Sequence, residues 1–168
     1  MQPTFSFTCD KCGQLHEGSP SIAYDMPFHW HALKPDTSTG QSRLSDDFCK
    51  IEDRDYFIRC ILEVPIHGVE EPFLWGLWVT QSAENFRDYV KTFPDSPERQ
   101  TFGYLANRLP FYPETVDMHA NVHWQPGTRR PLVELKPVDH PLFRDWSEGI
   151  TWERATELAA PAFHPRDD

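Results

Sequence analysis

Glycine is scarce in this chain, with 8 copies among 168 residues. The sequence holds no phosphate-cradling glycine loop, no dinucleotide fingerprint and no Gly-x-Ser-x-Gly elbow, so the commonest nucleotide and acyl-transfer sites are excluded. Positive charge is also short: 16 Lys and Arg stand against 26 Asp and Glu, a formal net charge of −10. The densest basic pair, Arg129-Arg130, lies between Gly127 and Pro131 and reads as a turn. A field of this sign repels phosphate backbones, so nucleic acid is not an expected partner, whereas a basic protein partner suits it. No apolar run approaches the roughly 20 residues of a membrane-crossing helix, and no membrane association is expected. Residues 1–5 carry neither the basic region nor the apolar stretch of an export signal. The expected location is cytoplasmic, where the 4 cysteines stay reduced.

Aromatic residues are what the chain has in quantity. Hydrophobic residues make up only 39%, but 6 Trp, 12 Phe and 5 Tyr give each apolar position a large area to bury. A chain of this length buries roughly two thirds of its unfolded surface and needs no disulfide scaffold. Residues 4–8 alternate as a short strand, and 48–51 and 56–64 read as a hairpin around the turn Glu52-Asp53-Arg54-Asp55. Residues 73–80 are apolar on both faces, as in a central strand. Ser82 caps a helix over about 83–93 whose inner face holds Phe86, Tyr89, Val90 and Phe93. Residues 116–124 alternate as a half-exposed strand, with Val116, Met118, Ala120, Val122 and Trp124 turned inward. Residues 132–135 form another strand, and a last helix starts at Thr151 and stops at Pro161.

Strands in runs, with few helices between them, define an α+β fold: an antiparallel sheet with a few packed helices and an N-terminal zinc-knuckle-like loop. The expected organisation is one domain over residues 1–168. A Cys-x-x-Cys loop spans about 5–18, an irregular proline-broken stretch about 19–47, and the sheet-and-helix body about 48–160.

Cys9-x2-Cys12-Gly13 is half of a zinc knuckle, because thiolates at this spacing in a tight turn can face one ion. A structural zinc needs two more donors, and His16, three residues past Gly13, and Cys49 are the candidates. The competing reading is a pair of inert reduced thiols. Cys60 shares a strand side with Tyr56, Ile58, Leu62 and Val64 and is read as a buried apolar thiol. His29-Trp30-His31 would present two imidazoles on one face if extended, and are exposed loop histidines otherwise. His119 and His123 are roughly 13 Å apart along a strand, too far for one zinc, but they line a polar face with Asp117 and Asn121. Arg59, inside an apolar strand, needs a carboxylate partner or clamps an anionic ligand.

Several blocks in order carry a resemblance: Phe7 to Gly13 with His16-Glu17-Gly18, Ser45 to Ile51, Tyr56 to Arg59, Trp75 to Val79, Asn85-Phe86, Leu109 to Pro113 and Asp139 to Leu142. Over nearly the whole chain they resemble a bacterial family known as domain of unknown function 2199. That resemblance implies no activity. The family pattern continues from Arg59 with glycine, where this chain has Cys60, which argues against Cys60 as part of a shared site.

The expected function is a non-enzymatic, zinc-stabilised protein-interaction module with no catalytic residue assigned, inhibitor- or immunity-like toward a basic target. The rival is a small metal- or histidine-dependent hydrolase using His29, His31 or the His119/His123 face.

Overall fold

The computed structural model describes residues 3–163. In chain order they form β1 (Ser6–Thr8), β2 (Leu15–Glu17), β3 (Ser21–Ala23), α1 (Phe28–Leu33), β4 (Arg43–Leu44), β5 (Phe48–Ile51), β6 (Asp55–Val64) and β7 (Phe73–Gln81). These are followed by α2 (Ala83–Thr92), β8 (Arg99–Tyr104), β9 (His119–Trp124), β10 (Leu132–Leu135), α3 (Pro141–Glu148) and α4 (Trp152–Phe163). The α+β class holds, and the main sheet is largely antiparallel with two parallel pairs, β3 on β7 and β10 on β6.

The sheet grows from β6 and β7, which pair antiparallel from Tyr56 opposite Gln81 to Val64 opposite Phe73. The hairpin leading into β6 turns on Glu52 and Asp53, both in the left-handed region at φ 53° and 49°. Asp tolerates that region because its short polar side chain bonds locally, and Asp53 Oδ1 accepts from Lys50 Nζ at 2.6 Å. The other side of β6 is divided between two strands. β5 pairs with residues 55–58, and β10 joins at Ile61.

Strands β6 to β10 then curl into a ring. β8 pairs with β9 and β9 with β10. Just beyond β8, Leu105 bridges Val79 of β7, and Ala106 N–H donates to the Trp78 carbonyl at 2.8 Å. Inside the ring lie Ile58, Cys60, Leu62, Val64, Leu77, Ala120, Val122 and Val133, capped by Phe86 and Tyr89 of α2 and by Leu158 of α4. A second, smaller core covers the outer face of the same strands: Cys49, Ile51, Phe57, Trp78 and Ala106, with Trp30 of α1 and Leu44 of β4 against it.

Helix starts follow their caps. Ser82 Oγ accepts from Asn85 N–H at 3.1 Å, and His140 Nδ1 accepts from Leu142 N–H at 3.0 Å in front of Pro141. Four expectations need correction. The His29-Trp30-His31 stretch is neither strand nor loop but lies in α1. The strand expected over 116–124 begins only at His119, because Asp117 at φ 71° breaks the extended run and leaves Val116 and Met118 half-buried. Val90 is 41% exposed rather than on the inner face of α2. Pro161 lies inside α4, where it removes one backbone bond from the last turn without ending it.

The ring closes at a contact that admits no side chain. A Cβ on Gly103 would lie 2.1 Å from the Thr80 carbonyl oxygen and 2.6 Å from Val79 Cγ1. Gly103→Ala is therefore expected to destabilise the protein by about 3 kcal/mol or more. Chemical denaturation measures this, and a loss below about 1 kcal/mol would contradict the close approach.

Candidate metal centre

β1 and β2 form a short hairpin whose tip is the Cys-x-x-Cys loop. Cys9 N–H donates to the Gln14 carbonyl at 2.9 Å, and Gly13 N–H to the Cys9 carbonyl at 2.8 Å. Gly13 takes φ +69° with open space where a Cβ would be, so backbone conformation rather than crowding calls for glycine. The hairpin register sets Phe7 opposite His16, with ring centroids 5.2 Å apart, and this returns the imidazole over the turn. The outcome is a three-residue cluster in which the sulfurs of Cys9 and Cys12 and a ring nitrogen of His16 all lie within 4.8 Å of one another.

The spacing suits an ion. Cys12 Sγ is 3.5 Å from His16 Nε2. A tetrahedral zinc with sulfur at about 2.3 Å and nitrogen at about 2.0 Å holds those two donors about 3.5 Å apart. Two sulfurs and an imidazole are also the soft and borderline donors that zinc takes. Desolvation raises the pKa of the Cys9 thiol, but the backbone N–H groups of Cys12 and Lys11 and the Cys12 side chain outweigh it. The net shift is downward, toward the thiolate that a metal requires.

The loop is fixed to the body at its base. Cys9 belongs to the main core, as do Phe5 and Phe7. Trp152 of α4 packs tilted against Phe5 at 5.0 Å and donates its indole N–H to the Ser6 carbonyl at 2.8 Å. Cys12 at the tip is exposed.

The fourth expected donor is a correction. Cys49 does not join the cluster. It sits fully buried in the second core on β5, and burial pushes its thiol up to about 12, where it stays protonated. Cys60 is fully buried in the ring interior beside Ile58 and Leu62, as its strand position predicts, and burial raises its pKa as well.

Among the described residues, no other histidine joins a metal-ligand cluster. In α1, residues two apart point about 200° around the axis, so His29 and His31 cannot share a face as they would on a strand. His29 packs on Phe57 at 5.0 Å, and His31 is exposed. His123 Nε2 is 3.5 Å from Glu134 Oε1, which also accepts from Asn121 at 3.0 Å. His119 is exposed, edge-on to Phe102 and Tyr104 at 5.6 and 5.1 Å. It borders a cavity of 320 Å³ that also includes Asp117 and Lys136. Among the described residues only Cys9, Cys12 and His16 form a metal-ligand cluster.

Arg59 is 8% exposed. One guanidinium nitrogen donates to the Asp46 carbonyl at 3.2 Å, another lies 3.7 Å from exposed Asp25, and the group sits over the Trp78 ring at 5.9 Å. These contacts tie the guanidinium to the margin of the outer core. The exposed aromatic pair Phe102 and Tyr104 escaped the sequence reading. Their i, i+2 spacing on Arg99–Tyr104 was the available signal, but charge and polarity at Arg99 and Gln100 hid the strand.

Fold and site together define a sheet-rich α+β domain with a Cys2His cluster in its N-terminal loop. Residues 8–150 match DUF2199, described as an uncharacterized protein conserved in bacteria, and the chain belongs to that family. Comparison with curated proteins and with solved structures gives no match. None of the described helices is long and apolar enough to cross a membrane.

Two outcomes follow from these environments. A thiol reagent should label Cys12 rapidly in metal-free folded protein, while Cys60 reacts only after unfolding; fast labelling of Cys60 would contradict its burial. His119→Ala should change stability by no more than about 0.5 kcal/mol in a urea melt, as for an exposed residue, and a loss above about 2 kcal/mol would show a buried role.

Proposed function

We propose that this chain is a zinc-stabilised binding module, with Cys9, Cys12 and His16 holding the ion. The observation that carries the reading is the 3.5 Å separation of Cys12 Sγ and His16 Nε2, the value a shared tetrahedral zinc imposes. A hairpin with 3 residues in each strand is marginal alone, so an ion at its tip acts as a staple. A fourth donor comes from water or from a bound partner.

A protein partner is the reading that charge and surface support. The net charge of −10 favours a basic target. Phe102 and Tyr104, about 40% exposed and 5.0 Å apart, are the kind of rigid aromatic contact that anchors interfaces. An inhibitor- or immunity-like role fits both features. The cytoplasm, where the thiols stay reduced, is the compartment this chemistry suits.

One observation favours the rival hydrolase: three protein donors and an open fourth position are the donor count of catalytic zinc. Against it, the 770 Å³ cavity is lined by neither histidine nor carboxylate, and the 320 Å³ cavity that holds His119 and Asp117 shares no residue with the cluster.

About one equivalent of zinc should copurify, measured by elemental analysis, and Cys12→Ser should abolish it. Because Cys12 is exposed, the variant should match chelator-treated wild type in stability. With free zinc at 1,000 times its Kd, chelation should cost about 4 kcal/mol. Protein that purifies without metal and takes up no added zinc would sink the reading. Ester hydrolysis by the zinc form that disappears in Cys12→Ser would favour the rival.

A further inference from the structure

A cavity of 770 Å³ is separate from the metal cluster and shares no residue with it. It opens between α2, the β4–β5 hairpin and α1. Its wall is apolar and aromatic: Trp30, Leu44, Phe48, Phe86 and Val90. Val90 is 41% exposed on α2 because it faces this space rather than the core. Cys49 lines the floor as a protonated thiol and adds no charge.

The polar lining is of one sign. Arg43 and Lys50 are its charged residues, and Thr37, Ser42 and Ser45 add hydroxyl-bearing side chains. No Asp or Glu contributes, in a protein with 26 of them. Lys50 Nζ is held by Asp53 at 2.6 Å. Arg43 has no carboxylate partner among the described residues, and a guanidinium offers a planar fork that matches a carboxylate. The volume lies within the range of small-molecule sites, which are mostly apolar with a few polar groups that fix orientation.

We propose that this cavity binds a small amphipathic organic acid, its apolar body against Trp30, Phe48 and Phe86 and its carboxylate on Arg43. Lys50 adds long-range attraction. The site does not depend on the metal.

Octanoate and its neutral isostere octanamide, titrated calorimetrically into the full chain, test this. Octanoate should bind saturably and about tenfold more tightly than octanamide, the margin of a charge-assisted bond. Arg43→Gln should reduce that preference to about twofold or less while octanamide binding persists. Val90→Glu, a change at an exposed helix position, should abolish octanoate binding with the melting temperature retained. Equal binding of acid and amide, or octanoate binding that both variants leave intact, would overturn the proposal. So would no binding at millimolar octanoate, or a preference for the terminal carboxylate of an apolar peptide. Burial of Val90 in a dimer, seen by sedimentation and relieved by Val90→Glu, would instead assign the groove to a second copy and overturn it too.

Discussion

The structure depends on β6 being buried on both faces from Phe57 to Cys60. Its 10 residues alternate between two layers: Ile58, Cys60, Leu62 and Val64 enter the ring, while Phe57 and Arg59 enter the smaller outer core. A strand so enclosed must satisfy its backbone groups within the protein: β7 follows one side throughout, while β5, β10 and the carbonyls of Asp47 and Pro131 divide the other. Arg59 is the cost of that enclosure. Its charge is held by the Asp46 carbonyl and the Trp78 ring at the margin of the outer core, with Asp25 nearby. Replacing the charge while leaving those partners buried is the kind of change a two-sided strand tolerates least.

What could be read from the sequence follows from how local the signal is. The hairpin at 48–64, the central strand at 73–81 and the Ser82 cap depend on neighbours within a few residues, and each forms where periodicity and capping place it. Closure of the ring depends on Gly103 meeting Thr80, a contact with no signature along the chain. α1 is only 6 residues and begins after Pro27 with no side-chain cap, so nothing local separated it from a proline-broken loop. Of the candidate site, Cys9, Cys12 and His16 were legible because a hairpin tip brings them together locally. Cys49 was misplaced because its position depends on which face of β5 meets the outer core.

The cysteines show how environment divides one residue type into two chemistries. Cys9 stands at the end of a strand where the turn directs backbone N–H groups at its sulfur, and these outweigh desolvation. Cys49 and Cys60 meet desolvation with little to offset it. The first pattern makes a metal donor and the second makes an apolar filler. The same outer core that keeps Cys49 neutral leaves a cationic rim above it at Arg43 and Lys50, so the metal cluster and the cavity draw on separate parts of the fold.

Zinc K-edge X-ray absorption on the purified protein tests the central assignment most directly. Two sulfurs at about 2.3 Å, with nitrogen or oxygen at about 2.0 Å completing four-coordination, is the shell that Cys9, Cys12, His16 and one exogenous donor produce. A shell with no sulfur, or with three or four, would contradict it.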